Sequence, residues 1–113
     1  MPTHDEIYDQ AIVLQQEGKL DEAVGMLQDL VAEAPDYALA HAALSVFYSK
    51  QEKYPQAVAH ARKVCELEPE DSFSFIALSL VCQKAGMIPE AEQAMFQARQ
   101  AQVAAMQRQS EQS

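Results

Sequence analysis

Glycine, proline and tryptophan are scarce in this chain of 113 residues, which contains three glycines, five prolines and no tryptophan. So few helix-breaking residues argue against a loop-rich or collagen-like protein, and a hydrophobic content of 49% argues against an intrinsically disordered one. The length suffices for one domain with its own core but not for two. These absences predict a single helix-rich domain spanning residues 1–113.

Long apolar runs are also missing. No stretch reaches the roughly 18 consecutive apolar residues that a membrane span requires. The N-terminal residues from Met1 to Glu6 lack the basic start and the apolar centre of a signal peptide. We therefore expect a cytoplasmic protein that has no membrane segment.

Basic residues are in the minority, since eight Lys and Arg face 17 Asp and Glu, for a formal net charge of -9. The resulting field opposes nucleic acid and anionic membrane surfaces as partners. The imbalance is concentrated in residues 1–37, which carry nine acids and one base. These acids either solvate the outer faces of the first two helices, the reading we favour, or form a docking patch for basic segments.

Groups that could catalyse a reaction or bind a metal are few. His4, His41 and His60 are not expected to converge, and His41 is expected to be a hydrogen-bonded core residue. The sequence has no glycine-rich phosphate loop, no Ser–His–Asp order and no metal-binding spacing. Cys65 and Cys82 are best interpreted as reduced core thiols, although the sequence leaves a disulfide open. We predict no enzymatic activity, no metal and no cofactor.

A period of 34 residues runs through the chain. Each of its three units contains two apolar-periodic runs of about 14 residues split by a short turn, which is the pattern of a helical hairpin. The positions that recur are Ala23, Ala57 and Ala91; Pro35 and Pro69; and Gly18, Glu52 and Gly86. We expect six helices, near residues 4–17, 21–34, 38–51, 55–68, 72–85 and 89–108.

The second unit carries a recognisable order of residues: His41, Leu44, Ser45, Tyr48, Ala57, Ala61 and Pro69. This order resembles the tetratricopeptide repeat, which prefers Trp, Leu, Gly, Tyr, Ala, Phe and Pro at these positions. The resemblance implies an all-α, right-handed α-solenoid of three helix-turn-helix repeats, near residues 4–37, 38–71 and 72–105. Val103 replaces the last closing proline, so the sixth helix is expected to extend before a polar tail, residues 106–113, whose end frays from Gln109.

The third and fifth helices are apolar nearly all round, whereas a surface helix needs only one apolar stripe. In the proteins that the chain resembles, the first helix of each hairpin lines a concave groove, so the surplus apolar residues are expected there. The predicted groove residues are Tyr8, Ile12, Leu39, Val46, Phe73, Ile76 and Leu80, with Lys50 and Lys84 further along.

These residues predict a protein-interaction module or scaffold that holds an apolar peptide or an amphipathic helix, with basic flanks favoured by the acidic first unit. Three alternatives remain: a homo-oligomer without a foreign ligand, a small chaperone for an aggregation-prone client, and a groove that closes on itself. Some tetratricopeptide domains instead grip the C-terminal carboxylates of heat-shock chaperones. The corresponding positions here are Tyr8, Ile12, Ala43, Phe73 and Ala77, which lack the required cations and amide donors.

Overall fold

The computed structural model describes residues 1–112, which form six α-helices and no strand. The first five helices begin and end within two residues of the predicted bounds, whereas the sixth continues four residues past residue 108. The helices are α1 (His4–Gln16), α2 (Leu20–Glu33), α3 (Ala38–Lys50), α4 (Tyr54–Leu67), α5 (Ser72–Lys84) and α6 (Ile88–Gln112).

The end of α6 corrects the predicted tail. Residues 109–112, which were expected to fray, are helical, and Ser113 lies outside the described residues. Between Glu90 and Gln112 the sequence has neither glycine nor proline and is rich in Ala, Gln, Met and Arg, which favour helix. Nothing in this segment stops the helix once it has begun.

Local sequence signals explain where helices begin and end. Thr3 and Glu6 form a reciprocal capping box at the start of α1, with hydrogen bonds of 3.1 and 3.2 Å. The carboxylate of Asp71 caps α5 by accepting from the backbone N–H of Phe73 at 3.1 Å. The turn inside each repeat contains one residue at positive φ, which is Gly18, Glu52 or Gly86.

The helices pack in chain order. Pairs α1–α2, α3–α4 and α5–α6 form hairpins, and α2–α3 and α4–α5 join one hairpin to the next. Fully or almost fully buried alanines at the 34-residue period, Ala23, Ala57 and Ala91, let the two helices of each hairpin approach closely. The result is a helical solenoid of 43 × 35 × 22 Å.

Both α3 and α5 lie between two neighbours, so each buries two faces. Seven residues of α3 are buried, among them Leu44 and Phe47. The sequence interpretation assumed one buried stripe per helix and therefore overestimated the apolar surface that is left for a partner. No helix among the described residues is long and apolar enough to cross a membrane.

Candidate binding groove

A concave groove of about 720 Å³ lies between α3 and α5, and the C-terminal half of α4 forms its floor. Its apolar lining comes mainly from α3 and α5, whose residues two turns apart point to the same side of a helix. Leu39 and Val46 of α3 are matched by Phe73 and Leu80 of α5, 34 positions later. The periodic sequence therefore repeats the same surface twice.

These four side chains remain largely uncovered. Phe73 is 76% exposed, Leu39 56%, Leu80 51% and Val46 50%. Smaller residues between them, Ala42, Ala77 and the half-buried Val64, complete an apolar floor. Because the four large side chains stay exposed, the repeats do not curve tightly enough to close the groove on itself.

The structure brings together Leu39, Val46, Lys50, Phe73, Leu80 and Lys84 from the predicted set. Tyr8, Ile12 and Ile76 do not line this groove. Tyr8 and Ile12 pack against the core and are half-buried, as is Ile76. A ligand contact by these three residues stays a prediction.

Tyr37, at the start of α3, helps to hold the start of α1 in place. Its hydroxyl donates a hydrogen bond to the carboxylate of Asp5, and its ring lies 6.2 Å from that of Tyr8. The hydrogen bond to Asp5, together with burial, raises the pKa of Tyr37 to about 12. This contact between the two ends of the first repeat had no counterpart in the repeat pattern and was not predicted.

The groove also gains residues that the prediction missed. Val64, Glu68 and Asp71 line it from α4 and from the loop that follows. The prediction considered only the first helix of each hairpin, so it could not include them. Glu68 and Asp71 place carboxylates at one end of the groove, and Lys50 and Lys84 lie at the other end.

His41 and His60 converge, which corrects the expectation that the histidines stay apart. Their Nδ1 atoms lie 3.0 Å apart, and His41 Nε2 lies 2.8 Å from the carbonyl oxygen of Pro35, to which it donates. The ring of Tyr48 stacks on His60 with centroids 5.7 Å apart. His41 is buried and hydrogen-bonded, as predicted, and the pair joins α3 to α4 away from the groove.

The cysteines are free thiols, as predicted. Cys65 and Cys82 are both buried and unbonded. Burial raises the pKa of both thiols, that of Cys65 to about 11, so neither is a reactive thiolate at neutral pH. Among residues 1–112 no group of three or more His, Cys, Asp or Glu side chains could hold a metal ion.

Three stacked helical hairpins define the class of the molecule as an α-solenoid of helix-turn-helix repeats. The sequence model of the tetratricopeptide repeat matches residues 14–72, just over half of the chain. The chain therefore belongs to the tetratricopeptide repeat family. The comparison with curated proteins finds no significant match.

Solved structures share the architecture. A crystal structure of MamA has a TM-score of 0.84 at 17% identity, and the match covers 93% of this chain but only 61% of that one. The second tetratricopeptide domain of Spaghetti (RPAP3), bound to the HSP90 peptide SRMEEVD, has a TM-score of 0.76 at 21% identity and covers 87% and 91% of the two chains. The Yersinia enterocolitica type III secretion translocator chaperone SycD, in an alternative dimer, has a TM-score of 0.77 at 18% identity and covers 88% and 75%. At these identities the likeness establishes the fold alone.

Proposed function

We propose that this chain is a protein-interaction module whose groove holds an apolar peptide or an amphipathic helix of another protein. The observation that carries the proposal is the convergence of Leu39, Val46, Phe73 and Leu80, each at least half exposed, on one concave surface. Full burial of such a side chain stabilises by roughly 1.5–3 kcal/mol. An apolar surface of this kind on a folded domain is typical of a binding site.

The dimensions of the groove fit such a ligand. The 13 residues of α5 span about 20 Å, which corresponds to nearly four turns of a docked helix. In helix-in-groove recognition the ligand helix places its apolar anchors one to two turns apart. The groove offers apolar side chains at a matching interval, because Leu39 and Val46 are two turns apart, as are Phe73 and Leu80.

Binding is a better account of this surface than catalysis. The groove lining contains no histidine or cysteine, and its lysines and carboxylates stand at opposite ends. Recognition of the C-terminal carboxylates of a heat-shock chaperone would need donors at positions that here hold Phe73 and Ala77. A chaperone for an aggregation-prone client is a special case of the same proposal, and the structurally similar SycD is a type III secretion translocator chaperone.

The test is a quantitative pull-down from the native cell lysate with the wild-type chain and Leu80→Glu. Val13→Glu is the matched control because Val13 is 50% exposed, close to the exposure of Leu80, but lies outside the groove. We expect a foreign protein that is enriched by wild type and by Val13→Glu and is lost with Leu80→Glu. Circular dichroism should show that all three chains are helical, and retained binding by folded Leu80→Glu would contradict the proposal.

Self-association is a second candidate function, because α6 exposes apolar residues outside the groove. Phe96 and Val103 are each about half exposed, and Met106 is more exposed still, on the outer side of the last hairpin. Identical chains could bury this surface against one another. Sedimentation over a dilution series would then show an oligomer that Val103→Glu dissociates, whereas a monomer at all concentrations would exclude it.

A further inference from the structure

Opposite charges stand at the two ends of the groove. Lys50 and Lys84 are the last residues of α3 and α5 and line one end. Glu68 and Asp71, at the end of α4 and the start of α5, line the other. At 1.5 Å per helical residue, Asp71 and Lys84 are about 20 Å apart, which exceeds the Debye length of about 8 Å at physiological salt. Each end therefore acts on a ligand as a separate site.

The charges at both ends are available to a ligand. Lys50 and Lys84 are exposed, and neither forms an ion pair within the part of the chain that the structure describes. Lys50 Nζ instead lies 5.9 Å from the ring centroid of Phe47. Asp71 accepts hydrogen bonds from Phe73 N at 3.1 Å and Ser74 Oγ at 2.9 Å, which hold its carboxylate in place while leaving lone pairs free.

A helical ligand has its own preferred charge order. Acidic side chains are stabilising in the first turn of a helix and basic side chains in the last turn, by about 0.3–1 kcal/mol each, because of the helix dipole. A helix with this order matches the groove only when its first turn lies at Lys50 and Lys84. It then runs antiparallel to α3 and α5.

We propose that the groove accepts an amphipathic helix of another protein in one direction, with its acidic first turn at Lys50 and Lys84 and its basic last turn at Glu68 and Asp71. This inference rests on the proposed function, because it assumes that the groove is the binding site. The apolar surface supplies affinity in either direction. The charged ends supply the direction, as complementary charges do at interfaces.

Two synthetic peptides test the direction. Each is a helix of about 14 residues, long enough to span the groove at 1.5 Å per residue, with the same apolar stripe. One has glutamates in the first turn and lysines in the last, and the other has the reverse. The second peptide can form the same ion pairs in the opposite direction, so the readout is the direction itself. With a nitroxide at its N-terminus, the first peptide should broaden the amide NMR signals near Lys50 and Lys84, and the second peptide those near Glu68 and Asp71. About four exposed ion pairs of a few tenths of a kcal/mol each should favour one direction about five- to tenfold. Added salt should weaken this directional preference.

Removal of the basic end should abolish the directional preference. In Lys50→Glu/Lys84→Glu both ends of the groove are acidic, so neither direction is favoured and each peptide should broaden the signals at both ends. Arg99→Glu/Arg108→Glu is the matched control, since it changes the net charge equally on exposed residues of α6 outside the groove. The control should keep the wild-type preference.

The outcomes separate the two proposals. Broadening by the first peptide at both ends of the wild-type groove, or at Glu68 and Asp71 alone, together with loss of binding in Leu80→Glu, would overturn the direction and leave the proposed function intact. A preference that the Arg99→Glu/Arg108→Glu control also loses would overturn the direction as well, because net charge would then explain it. Binding of neither peptide, or binding that Leu80→Glu leaves unchanged, would contradict both proposals.

Discussion

Val13, Phe47 and Val81 occupy the same position in the three repeats, yet Val13 is half exposed and the other two are buried. The preceding helix explains the difference, because α3 packs on α2 and α5 packs on α4, whereas α1 has no preceding hairpin among the described residues. The same holds three positions earlier in each repeat, where Gln10 is exposed and Leu44 and Leu78 are buried. Burial at a repeat position thus depends on the neighbouring repeat as well as on the residue.

The buried side-chain hydrogen bonds also differ from one repeat to the next. Ser45 donates to the carbonyl oxygen of Ala57 and Ser79 to that of Ala91, both at 2.9 Å, whereas the first repeat has Ala11 at this position. The pair of His41 and His60 occurs in the second repeat alone. Its counterparts are Ile7 with Met26 in the first repeat and Phe75 with Ala94 in the third.

The largest effect should come from removing buried volume in the second repeat. Leu44 is completely buried, so Leu44→Ala should lower the free energy of unfolding by about 2–5 kcal/mol through lost transfer energy and a residual cavity. Urea unfolding followed by circular dichroism measures the loss. Gln10→Ala, at the matching position of the first repeat, should change stability by less than about 0.5 kcal/mol; equal losses would break the comparison.

The shared serine hydrogen bond should be worth about 1 kcal/mol in each of the two repeats that have it. Ser45→Ala and Ser79→Ala each remove a donor from a buried backbone carbonyl and should destabilise by similar amounts. Thermal unfolding measures both. Ser49→Ala is the control, because the half-buried Ser49 lines the groove and should be nearly neutral; a Ser49→Ala loss as large as the others would contradict the assignment.

At the turn between the two helices of a hairpin, substitutions should change stability in opposite directions in the second and third repeats. Glu52 has φ of 61°, where glycine is favoured, and the matching residues are Gly18 and Gly86 at 84° and 77°. Glu52→Gly should therefore stabilise by up to about 1 kcal/mol, while Gly86→Ala should destabilise by about as much. No atom lies within 4 Å of an added Cβ at Gly86, so backbone strain alone is tested. Urea midpoints that move in the same direction would refute the expectation.

The smallest effect should be a pH dependence of the second repeat. Burial, and secondly the charge of His41, lowers the pKa of His60 below its ordinary value of about 6.5. The unfolded chain then binds more protons than the folded one, so stability should fall as the pH drops below about 7. His60→Gln should flatten this slope in urea unfolding at several pH values.

His4→Gln is the control for the pH dependence, since His4 is exposed and is not part of the histidine pair. Its Nε2 atom lies 3.7 Å from Oε2 of Glu33. It should leave the part of the slope that His60 contributes unchanged. A slope that survives His60→Gln would assign the pH dependence to other groups.

Most of the fold could be predicted because local signals and the period agree. Thr3 with Glu6, Asp71, Gly18 and Gly86 lie at helix ends and act through contacts within a few residues. The end of α6 was missed because a missing stop signal does not say where a helix ends. The convergence of His41 with His60 was missed because it depends on how α3 and α4 face each other, 19 residues apart.

The features of the groove likewise fall into those set by the sequence and those set by the packing of the helices. The sequence alone determined which side chains are apolar and repeat every 34 residues, and therefore that Leu39 and Val46 of α3 would match Phe73 and Leu80 of α5. Only the tertiary structure decided that these four line one groove while Tyr8, Ile12 and Ile76 do not, and that Glu68 and Asp71 oppose Lys50 and Lys84 across it. Helix periodicity sets which residues share a face, but the packing of successive hairpins sets which faces meet.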